Sequence, residues 1–270
     1  MTSNDPFRHS GRVVEVQLLT SAPPENAWAA WADPRRLSAW FADHASGDAV
    51  QGKTVVWTFE RFRLEIESKV LAAVPNNRLV LGASDESPPF LLELDIEPAD
   101  GMTKITLRNS GFGDDEENFL NVESGWKMAL GILGLYLEKY FEEERTNFLA
   151  VRDAEFQYDR VFAHFTDPTL LARWLTNEGT LSAQDGGARL ILRDGRILSG
   201  RLLASTGREV ALEWQEIKGF LEMKAFTYGD GKRALCLRGS GWGLDPDEGG
   251  SIEAFFVEAL ERLVAALASG

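Results

Sequence analysis

The chain contains one pattern twice, and this narrows its possible folds more than any other feature. Trp31-Ala32-Asp33-Pro34-Arg35-Arg36-Leu37-Ser38-Ala39-Trp40-Phe41 returns as Phe165-Thr166-Asp167-Pro168-Thr169-Leu170-Leu171-Ala172-Arg173-Trp174-Leu175, at an offset of 134. Leu107-Arg108-Asn109-Ser110-Gly111-Phe112-Gly113 returns as Leu237-Arg238-Gly239-Ser240-Gly241-Trp242-Gly243, at an offset of 130. Two matches in one order at nearly one spacing mark a duplication. Its period is that of a whole domain rather than of a solenoid unit. In a chain of 270 residues this predicts a flexible start over 1–11, a first domain over 12–144 and a second, diverged domain over 145–270.

Each copy carries the same local signals. Asp33-Pro34 and Asp167-Pro168 are helix starts, because the carboxylate accepts from free N–H groups and proline suits the first helical position. A short helix ends before each, since the residue preceding proline avoids the α region. Pro23-Pro24-Glu25 opens the Asn26–Ala32 segment in the same way. Each copy therefore begins with a strand, over Val13–Leu19 and about Asn147–Val151, followed by two short helices. Period-two alternation follows, the mark of half-buried antiparallel strands. Thr54–Phe59 aligns Val55, Trp57 and Phe59; Phe90–Glu97 aligns Phe90, Leu92, Leu94 and Ile96. In Phe62–Val70 the alternate positions Arg63, Glu65, Glu67 and Lys69 face water. Turns fall at Pro75-Asn76-Asn77 and Ala99-Asp100-Gly101, with counterparts at Ser205-Thr206-Gly207 and Gly229-Asp230-Gly231. Each copy closes on a long amphipathic helix. One stripe holds Phe119, Val122, Trp126, Ala129, Leu133, Tyr136 and Tyr140; the other holds Ile252, Phe255, Phe256, Ala259, Leu260, Leu263 and Leu267. The first helix should run through Glu142-Glu143-Glu144, with the next strand beginning at once.

This order of elements resembles the α+β helix-grip fold of the START and birch-pollen-allergen superfamily. More narrowly, the residues resemble the heat-shock-protein ATPase activator homologues, or SRPBCC proteins. The residues that carry the likeness are Ala30-Trp31-Ala32-Asp33-Pro34 with Leu37 and Trp40-Phe41, Pro75-Asn76-Asn77-Arg78-Leu79-Val80-Leu81, Thr103–Leu107, and Gly125-Trp126 opening the long helix. Copy two keeps Asp167-Pro168, Trp174 and the strand Glu209–Trp214, but has Phe255-Phe256 where Gly-Trp stands in copy one. The resemblance implies two tandem domains, each a curved antiparallel sheet gripping its long C-terminal helix over an apolar cavity. In copy one the cavity would be lined by Trp40, Trp57, Phe59, Phe62, Leu64, Ile66, Phe90, Leu92, Trp126 and Leu130. Packed interiors are the general rule, so the same side chains could equally fill a solid core. In copy two Phe255-Phe256 would plug the space.

Composition limits the partners. With 28 Lys and Arg against 42 Asp and Glu, the formal charge is −14, which disfavours nucleic acid and anionic membranes. Copy one carries most of the excess, with 13 basic and 24 acidic residues over 1–144. The single Cys236, in the strand-like run Ala234–Leu237, fits a reducing compartment and an inert thiol. No leader and no apolar run of about 20 residues is visible, so a cytoplasmic protein is expected.

Chemistry is thinly supplied. His9, His44 and His164 are scattered and make no metal-ligand spacing. His9 falls in the flexible start, and His44 beside Asp43 reads first as a solvated loop residue. Gly239-Ser240-Gly241-Trp242-Gly243 lacks the spacing and the lysine of a phosphate loop and reads as a turn into the long helix. Gly131 and Gly134 interrupt the first long helix and imply close approach of a sheet or of a ligand. These features predict no metal, no organic cofactor and a non-enzymatic domain binding a small apolar or amphipathic molecule, chiefly in copy one. The alternatives are a co-chaperone-like or regulatory interaction module, and a cyclase- or hydratase-type enzyme using His44 and a nearby carboxylate.

Overall fold

A computed structural model describes residues 9, 11–60, 64–83, 90–112, 115–181, 186–228 and 231–269. Each copy is one seven-stranded antiparallel sheet with two short helices after its first strand and a long helix at its end. This is the helix-grip arrangement, built twice. Copy one comprises β1 (Val14–Thr20), α1 (Pro24–Ala32), α2 (Pro34–Ser38), β2 (His44–Gly47), β3 (Thr54–Phe59), β4 (Leu64–Val74), β5 (Arg78–Gly82), β6 (Leu91–Ala99), β7 (Met102–Ser110) and α3 (Glu116–Leu135). Copy two comprises β8 (Arg145–Asp153), α4 (Tyr158–Thr166), α5 (Pro168–Trp174), β9 (Thr176–Leu181), β10 (Gly187–Leu192), β11 (Ile197–Ser205), β12 (Glu209–Trp214), β13 (Gly219–Tyr228), β14 (Lys232–Trp242) and α6 (Pro246–Ala268). The strand orders are β1-β7-β6-β5-β4-β3-β2 and β8-β14-β13-β12-β11-β10-β9, so the topologies are identical. The register slips at the same place in both, between Val70 and Ala72 and between Leu202 and Ala204.

The repeated sequence acts through repeated bonds. Asp33 Oδ1 accepts from Arg35 N at 2.9 Å, and Asp167 Oδ1 accepts from Thr169 N at 2.7 Å, which starts α2 and α5. Trp40 Nε1 donates to Ala30 O at 2.9 Å; Trp174 Nε1 donates to His164 O at 3.1 Å. Each tryptophan thereby ties the second short helix back onto the first. The turn at Pro75-Asn76-Asn77 holds Asn76 at φ 63°, a left-handed conformation that asparagine tolerates.

By compactness the chain divides into Met1–Trp126 and Lys127–Gly270, so α3 begins in one unit and ends in the other. The helix does not run on to Glu144. It passes at Leu135 into a π-helical turn over Tyr136–Tyr140, and Tyr136 OH bonds Phe141 O at 2.8 Å. That turn lets Tyr136 and Tyr140 both stack on Trp242, with ring centroids 6.0 and 4.7 Å away. Gly131 meets a sheet: a Cβ there would lie 2.9 Å from Leu203 O of β11. Gly125-Trp126 and Phe255-Phe256 do not open their helices, which start earlier, at Glu116 and Pro246.

On one face of each sheet a pair of charges occupies the same register. Glu93 lies opposite Arg108 and Glu222 opposite Arg238, with Arg238 Nε 2.6 Å from Glu222 Oε2. One strand over, Arg78 opposes Asp95 in copy one, whereas Glu209 opposes Lys224 in copy two, with the signs exchanged. His9, read from sequence as part of a flexible start, is held on this face of the first sheet. Its Nδ1 is 2.9 Å from Ser110 Oγ and its Nε2 3.2 Å from Glu93 Oε2.

In the second sheet both faces are covered. One packs against α6 through Leu212, Leu221, Leu237, Phe256 and Leu260. On the other, Glu213 is 1% exposed and receives Lys139 Nζ at 2.5 Å. Cys236 is buried beside the charges of this face, and burial pushes its thiol up to about 12. Burial works to lower Lys224, but Glu209 and Glu222 outweigh it and hold the ammonium above its ordinary value.

Candidate functional site

The aromatic residues of copy one converge on Trp31 and Phe41. Trp31, 4% exposed, has ring centroids of Trp40, Trp57 and Trp126 at 5.0, 6.2 and 6.1 Å. Phe41 stacks on Trp126 at 5.6 Å and meets Trp57 and Phe59 edge-on, each at 5.4 Å. The placement follows from the local sequence. The alternation of β3 brings Trp57 and Phe59 to one face, the Asp-Pro start of α2 sets Trp40 and Phe41 behind α1, and α3 supplies Trp126. Such faces at 4.5–7 Å are attractive to one another and to any flat apolar body brought among them.

Polar atoms are set into this aromatic wall. Asn109 Oδ1 accepts from Trp126 Nε1 at 3.0 Å, while its Nδ2 donates to Leu91 O at 3.0 Å. Trp31 Nε1 is buried and has no hydrogen-bond partner. Ser68 Oγ is likewise buried without one, opposite Val55 and two pairs from Trp57.

The expected lining residues divide into those brought together and those kept apart. Trp40, Trp57, Phe59 and Trp126 belong to the wall. Leu92 is buried on β6, Ile66 lies opposite Trp57, and Phe90 is half-buried at the start of that strand. Leu64 is 47% exposed, at the open end of its strand. Leu130 is buried, in the part of α3 that belongs to the second unit. Phe62 lies outside the described residues, as does the turn at Gly229-Asp230. Trp31 and Phe41 were not among the expected lining, because period-two reading selects strand residues and these two lie on a helix and a turn. The signal was present in the repeat, since they are the aromatic positions that change, to Phe165 and Leu175.

In copy two the corresponding inner face is packed with large side chains. Phe148 lies opposite Gly239, where copy one has Val14 opposite Asn109. A Cβ on Gly239 would strike the Phe148 ring. Phe148 and Trp214 pack on Phe256 at 5.6 and 6.4 Å, and Trp214 Nε1 is satisfied by Ile197 O at 2.8 Å. A separate cavity of about 240 Å³ opens at the end of α6, lined by Glu155, Phe156, Gln157, Arg160, Arg233 and Leu267. Nothing in the sequence pattern pointed to it.

Of the histidines, His44 is 68% exposed and 3.1 Å from the equally open Glu60, so this pair faces solvent. His164 is buried, with Nδ1 2.9 Å from Arg160 O one turn back in α4. Among the described residues no three His, Cys, Asp or Glu side chains converge as metal ligands would. Among them also no helix is long and apolar enough to cross a membrane.

Residues 21–138 match the model of the family described as Activator of Hsp90 ATPase homolog 1-like protein. No curated protein sequence matches the chain significantly. Among solved structures, DynU16 from the dynemicin biosynthetic locus is 18% identical over 96% of this chain and 100% of its own, with a TM-score of 0.44. The di-domain ARO/CYC protein BexL of the BE-7585A pathway is 12% identical over 96% and 100%, with a TM-score of 0.42. The Aha1 protein of Colwellia psychrerythraea is 19% identical over 48% of this chain and 98% of its own, with a TM-score of 0.44. The first copy thus resembles the Hsp90-activator-like branch of the START-like proteins, and the second repeats its topology.

Proposed function

We propose that the chain binds a small apolar or amphipathic molecule without transforming it, chiefly through residues 12–144. In this reading the diverged domain 145–270 serves as a brace. The observation that supports it is the contrast between the copies. Four aromatic rings surround Trp31, whose buried Nε1 has no partner, in copy one, whereas Phe148, Trp214 and Phe256 pack on one another at the equivalent place in copy two. Binding sites for small molecules combine apolar walls with a few placed polar groups, and a core has no need of the latter.

The test is titration of the full chain with a neutral, environment-sensitive apolar fluorophore, Nile red, in the unmodified protein and in Trp57→Ala and Trp214→Ala. Saturable binding that weakens about tenfold or more in Trp57→Ala, and is unchanged in Trp214→Ala, supports the reading. The reverse pattern assigns the ligand to copy two. Binding in neither, with salt-sensitive capture of a protein partner instead, would favour an interaction module.

A further inference from the structure

The Trp31 indole N–H is a donor that folding itself does not use. A buried donor without an acceptor is costly, and such groups are rare in native interiors. The chain also shows that the ring alone would suffice for packing. At the position equivalent to Trp31, copy two has Phe165, fully buried and 6.2 Å from Trp174, in the same relation that Trp31 holds to Trp40. The N–H groups of Trp40, Trp126, Trp174 and Trp214 are satisfied, by Ala30 O, Asn109, His164 O and Ile197 O respectively. That of Trp31 is fully buried and is not, and it stands at the centre of the aromatic wall.

Ser68 repeats the pattern. It is 3% exposed with an unpartnered hydroxyl, and the corresponding residue of β11 is Gly200, opposite Ala188 as Ser68 is opposite Val55. Copy two therefore carries neither group.

Resting on the ligand-binding reading above, we infer that the first domain recognises a flat aromatic molecule bearing a neutral oxygen acceptor of the aryl-ketone class, which Trp31 Nε1–H engages. The acceptor is neutral for two reasons. The nearest neighbours of Trp31 are apolar rings, among which an unpaired anion would be heavily penalised. The acidic excess of residues 1–144 also repels anions. The body is flat and aromatic because the surroundings of Trp31 are ring systems, Trp40, Phe41, Trp57 and Trp126, rather than branched aliphatic side chains. The Ser68 hydroxyl provides a second polar contact on the same sheet face.

A matched pair of probes tests this on the full chain. Fluorene and 9-fluorenone share one ring skeleton and differ at the bridging carbon, CH₂ in one and C=O in the other. The unmodified protein should bind fluorenone about tenfold more tightly than fluorene, the value of satisfying one buried donor. Trp31→Phe, the residue copy two already carries, should abolish that preference and leave fluorene affinity within about twofold. The infrared carbonyl stretch of bound fluorenone should shift towards its hydrogen-bonded position in the unmodified protein, a reading independent of how the variant folds. Equal binding of both probes with an unshifted carbonyl would overturn the inference while leaving the ligand-binding reading intact. Saturable binding of neither would overturn both.

Discussion

Two glycines in one helix should respond differently to the same substitution. Gly125 and Gly131 both lie inside α3, where glycine costs about 1 kcal/mol relative to alanine. A Cβ on Gly125 would meet nothing within 4 Å, so Gly125→Ala should recover that amount in full. At Gly131 the new methyl would sit 2.9 Å from Leu203 O, 3.2 Å from Leu203 C and 3.4 Å from Ala204 Cβ. The first two are backbone atoms of β11 and cannot rotate away. Overpacking of this kind costs about 1–3 kcal/mol, which offsets the helical gain and leaves a net loss of up to about 2 kcal/mol. The two variants should differ by about 1–3 kcal/mol, with the urea midpoint raised in Gly125→Ala and not in Gly131→Ala, at unchanged slope. The loss at Gly131 should appear in the unfolding of Lys127–Gly270, which contains both the glycine and β11. If Gly131→Ala raised the midpoint as Gly125→Ala does, the close packing of α3 on β11 would be wrong.

Two further outcomes follow from the charged face of the sheets. Arg238→Met leaves Glu222, 1% exposed, without its 2.6 Å partner and should cost about 3 kcal/mol; Arg108→Met, whose partners Asp95 and Glu15 stand more open to water and whose buried partner Glu93 keeps Arg78, should cost about 1 kcal/mol; equal losses by denaturant titration would contradict this. Cys236 should resist thiol reagents in the native protein and react on unfolding. Because its folded pKa of about 12 lies above the ordinary thiol value, its stabilisation is complete below pH 9 and is lost as pH rises towards 12. Cys236→Ala should flatten that part of the stability profile, and an unchanged profile would place the thiol in a wetter site.

The repeat, the element order and the Asp-Pro starts were legible because they depend on local chemistry. A carboxylate before proline caps a helix wherever it occurs, and β3 ends where its alternation ends. The short strands His44–Gly47 and Thr176–Leu181 were not, because they sit at sheet edges and carry no apolar alternation. The burial of Glu209, Glu213 and Glu222 was not legible for a related reason. Period-two reading sends charged residues to water, but here the outward face of β12 and β13 is buried, and Glu213 is met by Lys139 from the distant α3 turn. Such long-range partners leave no trace in either strand's own sequence. The candidate site was half legible: Trp57, Phe59 and Trp126 followed from periodicity, while Trp31 and Phe41 needed the packing of α1 and α2 against the sheet.

What the two copies keep and what they exchange separate the work of folding from the work of recognition. Both keep the Asp cap, the Trp Nε1 bond to the first short helix, the register slip after β4 and β11, and the glutamate–arginine pair. These features act within each copy and are needed by any sequence with this topology. The Arg78–Asp95 pair and its reversed counterpart Glu209–Lys224 show that sign is free to change where only complementarity matters. On the inner face the changes are of another kind. Trp31 becomes Phe165, Ser68 becomes Gly200 and Asn109 becomes Gly239, each losing a polar group, while Val14 becomes Phe148 and gains volume. A scaffold relieved of a ligand would drift in this direction, since polar groups that no longer meet a partner are penalised and space that no longer holds one is best filled. This contrast, polar groups in copy one against larger apolar side chains in copy two, is the physical ground for the proposal that a ligand binds the first copy.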